Sequence, residues 1–124
     1  MFMKIKPLIN RKFKSVSIIE NTYEVIEWIS ATPYFAVVDE ELQVAGIITL
    51  TDVYHAPMSQ LIDLDFSKPR VSPDQSVADV LDLMLESRYE YLPVFDRGQF
   101  VGVISSWDIT AHLLQMIRIL KKYK

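Results

Sequence analysis

Cysteine is absent from the sequence of 124 residues, and glycine occurs only at Gly46, Gly98 and Gly102. The lack of cysteine excludes disulfides, thiol catalysis and thiolate metal sites, and it is typical of proteins in a reducing cytoplasm. With so few glycines the chain cannot form a glycine-rich loop that cradles phosphates. No apolar run approaches the roughly 18 residues of a membrane span, and the first residues lack the pattern of a secretory signal. We therefore expect a cytoplasmic protein.

Charge is distributed unevenly along the chain. The 13 basic and 16 acidic residues leave a net charge of −3, but residues 1–14 and 115–124 are basic and contain no acidic residue. Basic ends of this kind can bind nucleic acid weakly, or they can simply keep the chain soluble. The lack of interleaved aromatic residues argues against nucleic acid as a partner. Since half of the residues are apolar, the chain has enough material for one folded domain with a core.

The sequence contains an internal repeat with a period of about 56 residues. Residues 35–53 and 92–109 each contain an apolar run, a polar turn, a second apolar run, a hydroxyl residue and, three positions later, an aspartate. The matched pairs are Asp39 and Asp96, Gly46 and Gly102, Thr49 and Ser105, and Asp52 and Asp108. The repeat predicts two related structural units.

Each copy predicts the order β-α-β-β-α, which makes the fold α/β (α+β). The apolar runs are too short for helices and predict hairpins, Phe35–Val38 with Val44–Ile48 and Leu92–Phe95 with Phe100–Ile104. The hydroxyl residues that follow can cap helices at about 50–62 and 106–122. Before each hairpin we expect an extended stretch and then a helix, namely Val16–Ile19 and Arg70–Ser72, then helices after Thr22 and Ser76. The domain assignment is a basic segment 1–14, repeat 1 over 15–62, a linker 63–69, and repeat 2 over 70–124.

Apolar residues at helical spacing predict the helix faces that form the core. They are Tyr23, Ile26, Trp28 and Ile29 in the first helix, Val77, Val80, Leu81, Met84 and Leu85 in the corresponding helix of the second copy, and Ile109, Leu113, Leu114, Ile117 and Leu120 in the last helix. Because the core of one copy alone is too small to be secure, we expect the two copies to pack together.

The repeated pattern resembles the cystathionine-β-synthase (CBS) domain, and two copies in tandem resemble a Bateman module. The second copy carries the resemblance closely through 92–96, 101–105 and Asp108-Ile109, whereas the first has Ala36 where the family usually has proline. The resemblance implies two units about a pseudo-twofold axis, with their sheets facing a cleft, and a homodimer shaped as a flat disc. It also implies a regulatory module that binds AMP, ADP, ATP or S-adenosylmethionine in the cleft and modulates a partner. It implies no enzyme, no required cofactor and no metal site.

The two aspartates are the leading candidates for ligand contact. A carboxylate at a helix start can accept two hydrogen bonds from a ribose diol, and first-turn amides can face a phosphate. Alternatively, these residues only cap helices. The resemblance implies two sets of ligand-binding residues, Thr49 with Asp52 and Ser105 with Asp108. It adds Ser15 and Pro33 toward the Asp108 site, Pro69 and Tyr89 toward the Asp52 site, and possible phosphate contacts from Lys14 and Lys68. Tyr34 and Tyr91 either stack on a base or pack within their strands.

One departure from the family bears on the ligand. Where relatives that hold nucleotide phosphates often have a basic residue before the second strand, this chain has Glu90 and Tyr91, and Pro33 and Tyr34. An acidic residue repels phosphate, so this favours few phosphates, a cationic ligand such as S-adenosylmethionine, or no ligand. The alternatives to a ligand sensor are a ligand-free module for dimerisation and assembly, and a weak nucleic-acid binder through the basic ends.

Overall fold

The computed structural model describes residues 3–29 and 31–123. These residues divide into two compact units. The first unit comprises Lys12 to Pro69, and the second comprises the chain from Arg70 onward together with the residues up to Arg11. The predicted α+β fold is confirmed, since both units combine a hairpin with helices.

The first unit contains a three-stranded sheet in the order β1-β2-β3. Its elements are β1 (Ser15–Ser17), α1 (Thr22–Ile29), β2 (Tyr34–Val38), β3 (Val44–Thr49), α2 (Leu50–Tyr54) and a 3-10 helix (Leu61–Asp63). Strands β1 and β2 are parallel, and β2 and β3 form the predicted antiparallel hairpin. The core of this unit is formed by Val16, Val25, Ile29, Phe35, Val37, Ile48, Val53 and Leu61.

The second unit repeats this arrangement around a two-stranded sheet. Its elements are a 3-10 helix (Lys6–Leu8), α3 (Val77–Ser87), β4 (Tyr91–Asp96), β5 (Gln99–Ser105) and α4 (Ser106–Lys122). In place of a first strand, Val71 makes a single parallel bridge to Val94. Its core is formed by Ile5, Val71, Val77, Val80, Met84, Leu92, Val94, Ile104 and Ile109.

The β4–β5 hairpin turns through Arg97 and Gly98, which both have positive φ (52° and 81°). Two-residue turns with positive φ at both positions match the right-handed twist of the strands that they join. The turn, together with a register shift between Val94 and Phe95, brings Tyr91 opposite Ser105 at the far end of the hairpin. Ser105 therefore ends β5 beside Tyr91, and α4 begins at the next residue.

The helix predicted over 50–62 is wrong in its length, because α2 ends at Tyr54. Ala56 precedes Pro57, and the proline ring disfavours helical conformation in the residue before it. The helix predicted over 106–122 has the expected bounds.

The prediction of which helix residues face the core is partly wrong. In α1 the residues that face the core are Val25 and Ile29, whereas Tyr23 and Trp28 are exposed. In α3 Leu85 is exposed. In α4 only Ile109 of the predicted stripe is buried. The α4 stripe continues from Ile109 at helical spacing through Leu113 and Ile117, but those side chains remain exposed.

The segment 3–11 is part of the second unit rather than a free tail. Ile5 is fully buried in the core of that unit. Asn10 exchanges two backbone hydrogen bonds with Val103, with N···O distances of 2.8 and 3.0 Å. Gly102 permits this pairing, since a Cβ at that position would lie 2.3 Å from the carbonyl oxygen of Asn10.

We expect Gly102→Ala to lower the free energy of unfolding by about 1–3 kcal/mol, because the new methyl group must displace backbone. The measurement is urea denaturation followed by circular dichroism. Gly98→Ala is the matched control: it also has positive φ, but nothing lies within 4 Å of the added carbon. It should cost only about 1 kcal/mol. Equal losses in the two variants would contradict the proposed crowding by Asn10.

Candidate functional site

Asp108 lies in the first turn of α4, directly after the end of the hairpin. Ser105 is the N-cap, and its Oγ accepts a hydrogen bond from the backbone N–H of Asp108 at 3.0 Å. This bond confirms the capping role predicted for Ser105. Ser105 is buried and Asp108 is half-buried. Because the cap uses the backbone N–H of Asp108, the carboxylate is left to make other interactions.

A cleft of about 340 Å³ lies beside this helix start. It is lined by Glu90, Tyr91, Ser106, Trp107 and Thr110. The backbone N–H of Ser106 donates to the carbonyl of Glu90 at 2.9 Å, so the strand start and the helix start are held together. The Trp107 side chain is 75% exposed. The cleft therefore combines two aromatic side chains with an acidic residue and two hydroxyl groups.

The electrostatic field of the cleft is negative. Burial raises the pKa of Tyr91 above its ordinary value of 10.0, and the carboxylates of Glu90 and Asp108 raise it further. Tyr91 thus keeps its phenolic proton. The same carboxylates disfavour an anionic group in this cleft.

Asp52, the matched aspartate of the first unit, has a different environment. Its Oδ2 accepts hydrogen bonds from the backbone N–H of Thr49 at 2.8 Å and from Thr49 Oγ1 at 3.1 Å. The ammonium of Lys68 lies 2.6 Å from the same oxygen. The Lys68 side chain is 4% exposed and that of Asp52 is 21% exposed. Lys68, predicted as a phosphate contact, is thus engaged in a buried ion pair.

A second, more open groove of about 810 Å³ lies on the first unit. It brings two predicted residues, Lys14 and Ser15, next to Trp28. The full lining is Phe13, Lys14, Ser15, Val16, Glu27, Trp28, Ala31, Thr32 and Phe35. Pro33 follows Thr32 and is exposed, but it does not line the groove. Trp28 was predicted to face the core, but its side chain is 45% exposed.

The remaining predicted residues have mainly packing environments. Tyr34 is buried, which favours strand packing over stacking on a base. Tyr89 is half-buried and packs against the core of the second unit. Pro69 is half-buried at the end of the first unit.

Within residues 3–29 and 31–123, no cluster of three or more histidine, aspartate or glutamate side chains could hold a metal ion. In the same residues, no helix is both long and apolar enough to cross a membrane.

We expect Glu90→Gln to lower the pKa of Tyr91, because the substitution removes one of the charges that raise it. A raised pKa means that the folded chain holds this proton more tightly than the unfolded chain. Tyr91 therefore reduces stability only as the pH rises above about 10. The measurement is an ultraviolet absorbance titration, with Tyr91→Phe to assign the signal and Glu40→Gln as the charge-matched control. An unchanged Tyr91 titration in Glu90→Gln would contradict this electrostatic coupling.

Comparison with known proteins finds a family match over part of the chain. The family model for the CBS domain matches residues 63–115. An uncharacterised 17.7 kDa protein of Acidianus ambivalens is 32% identical over 87 residues, which are 64% of this chain and 53% of that protein. The chain thus spans about half the length of this curated relative.

Solved structures share the fold. A protein of Burkholderia ambifaria MC40-6, described as a signal-transduction protein with CBS domains, superposes with a TM-score of 0.80 at 22% identity, over 91% of this chain and 95% of that one. CBSX2 in complex with AMP superposes with a TM-score of 0.80 at 16% identity, over 92% of this chain and 98% of that one. The predicted resemblance is confirmed: residues 63–115 match the CBS domain, and solved structures of CBS-domain proteins share the fold of this chain.

Proposed function

We propose that the chain is a regulatory module of the cytoplasm that binds an adenosine-containing ligand and thereby modulates a partner protein. The ligand class comprises AMP, ADP, ATP and S-adenosylmethionine. The observation that carries the proposal is the Asp108 carboxylate at the start of the 17-residue helix α4, beside a cleft with two aromatic side chains. The AMP complex of a protein with the same fold supports the ligand class. We propose no enzymatic activity and no required cofactor.

The ribose is the part of the ligand that Asp108 suits best. A carboxylate can accept hydrogen bonds from both hydroxyls of a ribose diol, and such charge-assisted bonds are stronger than neutral ones. Because Ser105 already caps the helix through the Asp108 N–H, the carboxylate is not needed to hold the helix start together. Trp107, which is largely exposed, and Tyr91 offer flat surfaces for the base.

The negative charge of the cleft favours some members of the ligand class over others. The lining includes Glu90 and no lysine, arginine or histidine. A triphosphate next to Glu90 and Asp108 would meet repulsion, whereas a monophosphate directed away from them, or a sulfonium cation, would not. AMP and S-adenosylmethionine are therefore the favoured ligands.

Regulation would follow from linkage. A ligand with different affinities for two arrangements of the module changes their populations by its differential binding free energy. A partner protein that contacts only one arrangement would then bind or release as the ligand concentration changes.

We expect AMP or S-adenosylmethionine to raise the melting temperature of the chain, and Asp108→Ala to abolish the rise. At 100 times its dissociation constant a ligand adds about 2.7 kcal/mol of stability, which corresponds to several degrees. The measurement is a thermal-shift series with AMP, ADP, ATP, adenosine and S-adenosylmethionine at millimolar concentration.

Asp79→Ala is the matched control for that series. Asp79 holds the same place in α3 as Asp108 in α4, and its N–H donates to Ser76 Oγ at 3.0 Å. Both substitutions remove a carboxylate from the positive end of a helix, so both lose the same helix-dipole energy. Only Asp108→Ala should lose the ligand response. A flat response of the unmodified chain to all five compounds would reject the proposed ligand class.

A second candidate function, assembly through α4, is favoured by a separate observation. Apolar side chains on α4 remain between 37% and 62% exposed, namely Leu113, Leu114, Ile117 and Leu120. An exposed apolar stripe on a helix is typical of an interaction surface. We propose that this stripe contacts a second copy of the chain, giving the homodimer that the family resemblance implies.

We expect Ile117→Lys to convert a dimer to a monomer, because a charge on the stripe cannot be buried against an apolar surface. The measurement is the mass in solution by light scattering after size-exclusion chromatography. Met58→Lys is the control, since Met58 is 88% exposed and lies outside α4. If the unmodified chain is a monomer at high micromolar concentration, the assembly proposal fails.

A further inference from the structure

We infer that the two matched aspartates are functionally unequal: Lys68 occupies the carboxylate of Asp52, so the chain binds one adenosine-containing ligand, through Asp108. This inference rests on the proposed function, and it makes Lys68 the residue that excludes ligand from Asp52. The repeated sequence by itself predicts two equivalent aspartates.

Three donors already occupy one oxygen of the Asp52 carboxylate. Oδ2 accepts three hydrogen bonds, from Thr49 N at 2.8 Å, Thr49 Oγ1 at 3.1 Å and Lys68 Nζ at 2.6 Å. A carboxylate oxygen with three donors has little remaining capacity for a ribose hydroxyl. The lysine therefore takes the place that a ligand donor would take.

The ion pair is costly to break. With the Lys68 side chain 4% exposed, its ammonium cannot be solvated where it lies. Removing one partner of a buried ion pair leaves an uncompensated charge, which is strongly destabilising. A ligand that displaced Lys68 from Asp52 would have to offset that penalty before it gained any affinity.

The chain around Lys68 holds the lysine in position. Ser67 donates to the Asp65 carboxylate through its N–H and its hydroxyl, at 2.9 and 2.8 Å. The Phe66 ring packs against Gly46. Lys68 Nζ also lies 3.5 Å from the carbonyl oxygen of Ile47. Residues 65–68, assigned to a linker from sequence, thus form a fixed part of the first unit.

Asp108 has no such occupant. Within residues 3–29 and 31–123, no basic side chain forms a salt bridge with its carboxylate. In the first unit the short helix α2 ends at Tyr54, and the chain returns to bring Lys68 back to the Asp52 carboxylate. In the second unit α4 extends from Ser106 to Lys122.

The test is isothermal titration calorimetry with AMP on the full chain and three variants. We expect one equivalent of AMP per chain for the unmodified protein. Asp108→Asn should weaken binding by about tenfold or more, because a charged acceptor is lost. Asp52→Asn should keep the dissociation constant for AMP within about twofold of that of the unmodified chain. The same is expected of the double variant that adds Lys68→Met, which avoids a buried unpaired ammonium.

A second measurement, thermal unfolding without AMP, tests the structural role of Asp52. Asp52→Asn should lower the melting temperature by several degrees, Asp108→Asn should lower it less, and Lys68→Met should recover part of the loss in the double variant. Equal losses in the two single variants would overturn the inference. Circular dichroism of each variant is the control that establishes whether the variant is folded.

The outcomes separate the inference from the proposed function. Two equivalents of AMP per chain, or loss of binding in the folded Asp52→Asn, Lys68→Met double variant, would overturn the inference and leave the proposed function standing. No binding of AMP by the unmodified chain, with none of S-adenosylmethionine in the same titration, would reject both. Binding of one equivalent of AMP per chain that depends on Asp108 and not on Asp52 supports both the inference and the proposed function.

Discussion

The junction between the second hairpin strand and the following helix is the constraint on which the candidate site depends. In the second unit, β5 ends at Ser105, whose backbone is extended while its hydroxyl caps α4. That geometry leaves Asp108 one turn later at the positive end of the helix dipole. The hairpin register sets Tyr91 opposite Ser105, so strand pairing also positions one wall of the cleft. The strand pairing and the helix cap therefore together set the geometry of the candidate site.

The same junction in the first unit has a different outcome. Thr49 ends β3 and is the N-cap of α2, and Asp52 lies at the matched place. There the carboxylate accepts the Thr49 N–H and pairs with the ammonium of Lys68. The buried ammonium needs such a partner, because an isolated charge at low dielectric is costly. One carboxylate is held in an ion pair, and the other lies at the start of α4, next to residues that line a cleft.

The hairpins, the last helix and its cap could be predicted from sequence because each depends on neighbours close along the chain. Short apolar runs, a polar turn, and a hydroxyl residue three positions before an aspartate are local signals. The length of α2 was also a local matter, because Pro57 disfavours helix in the residue before it, but the predicted helix extended past the proline. Trp28 and Tyr23 were assigned to the core because hydrophobicity alone does not define which side of a short helix faces the sheet.

The sequence by itself determined the repeat, the α+β fold and the two aspartates, since strand and helix propensities and capping act over a few residues. Only the tertiary structure decided that Ile5 enters the core of the second unit and that Lys68 pairs with Asp52. Those contacts join residues far apart along the chain, and their partners are chosen by burial and by the need to compensate a buried charge. The two aspartates therefore have the same local sequence pattern but different surroundings in the fold.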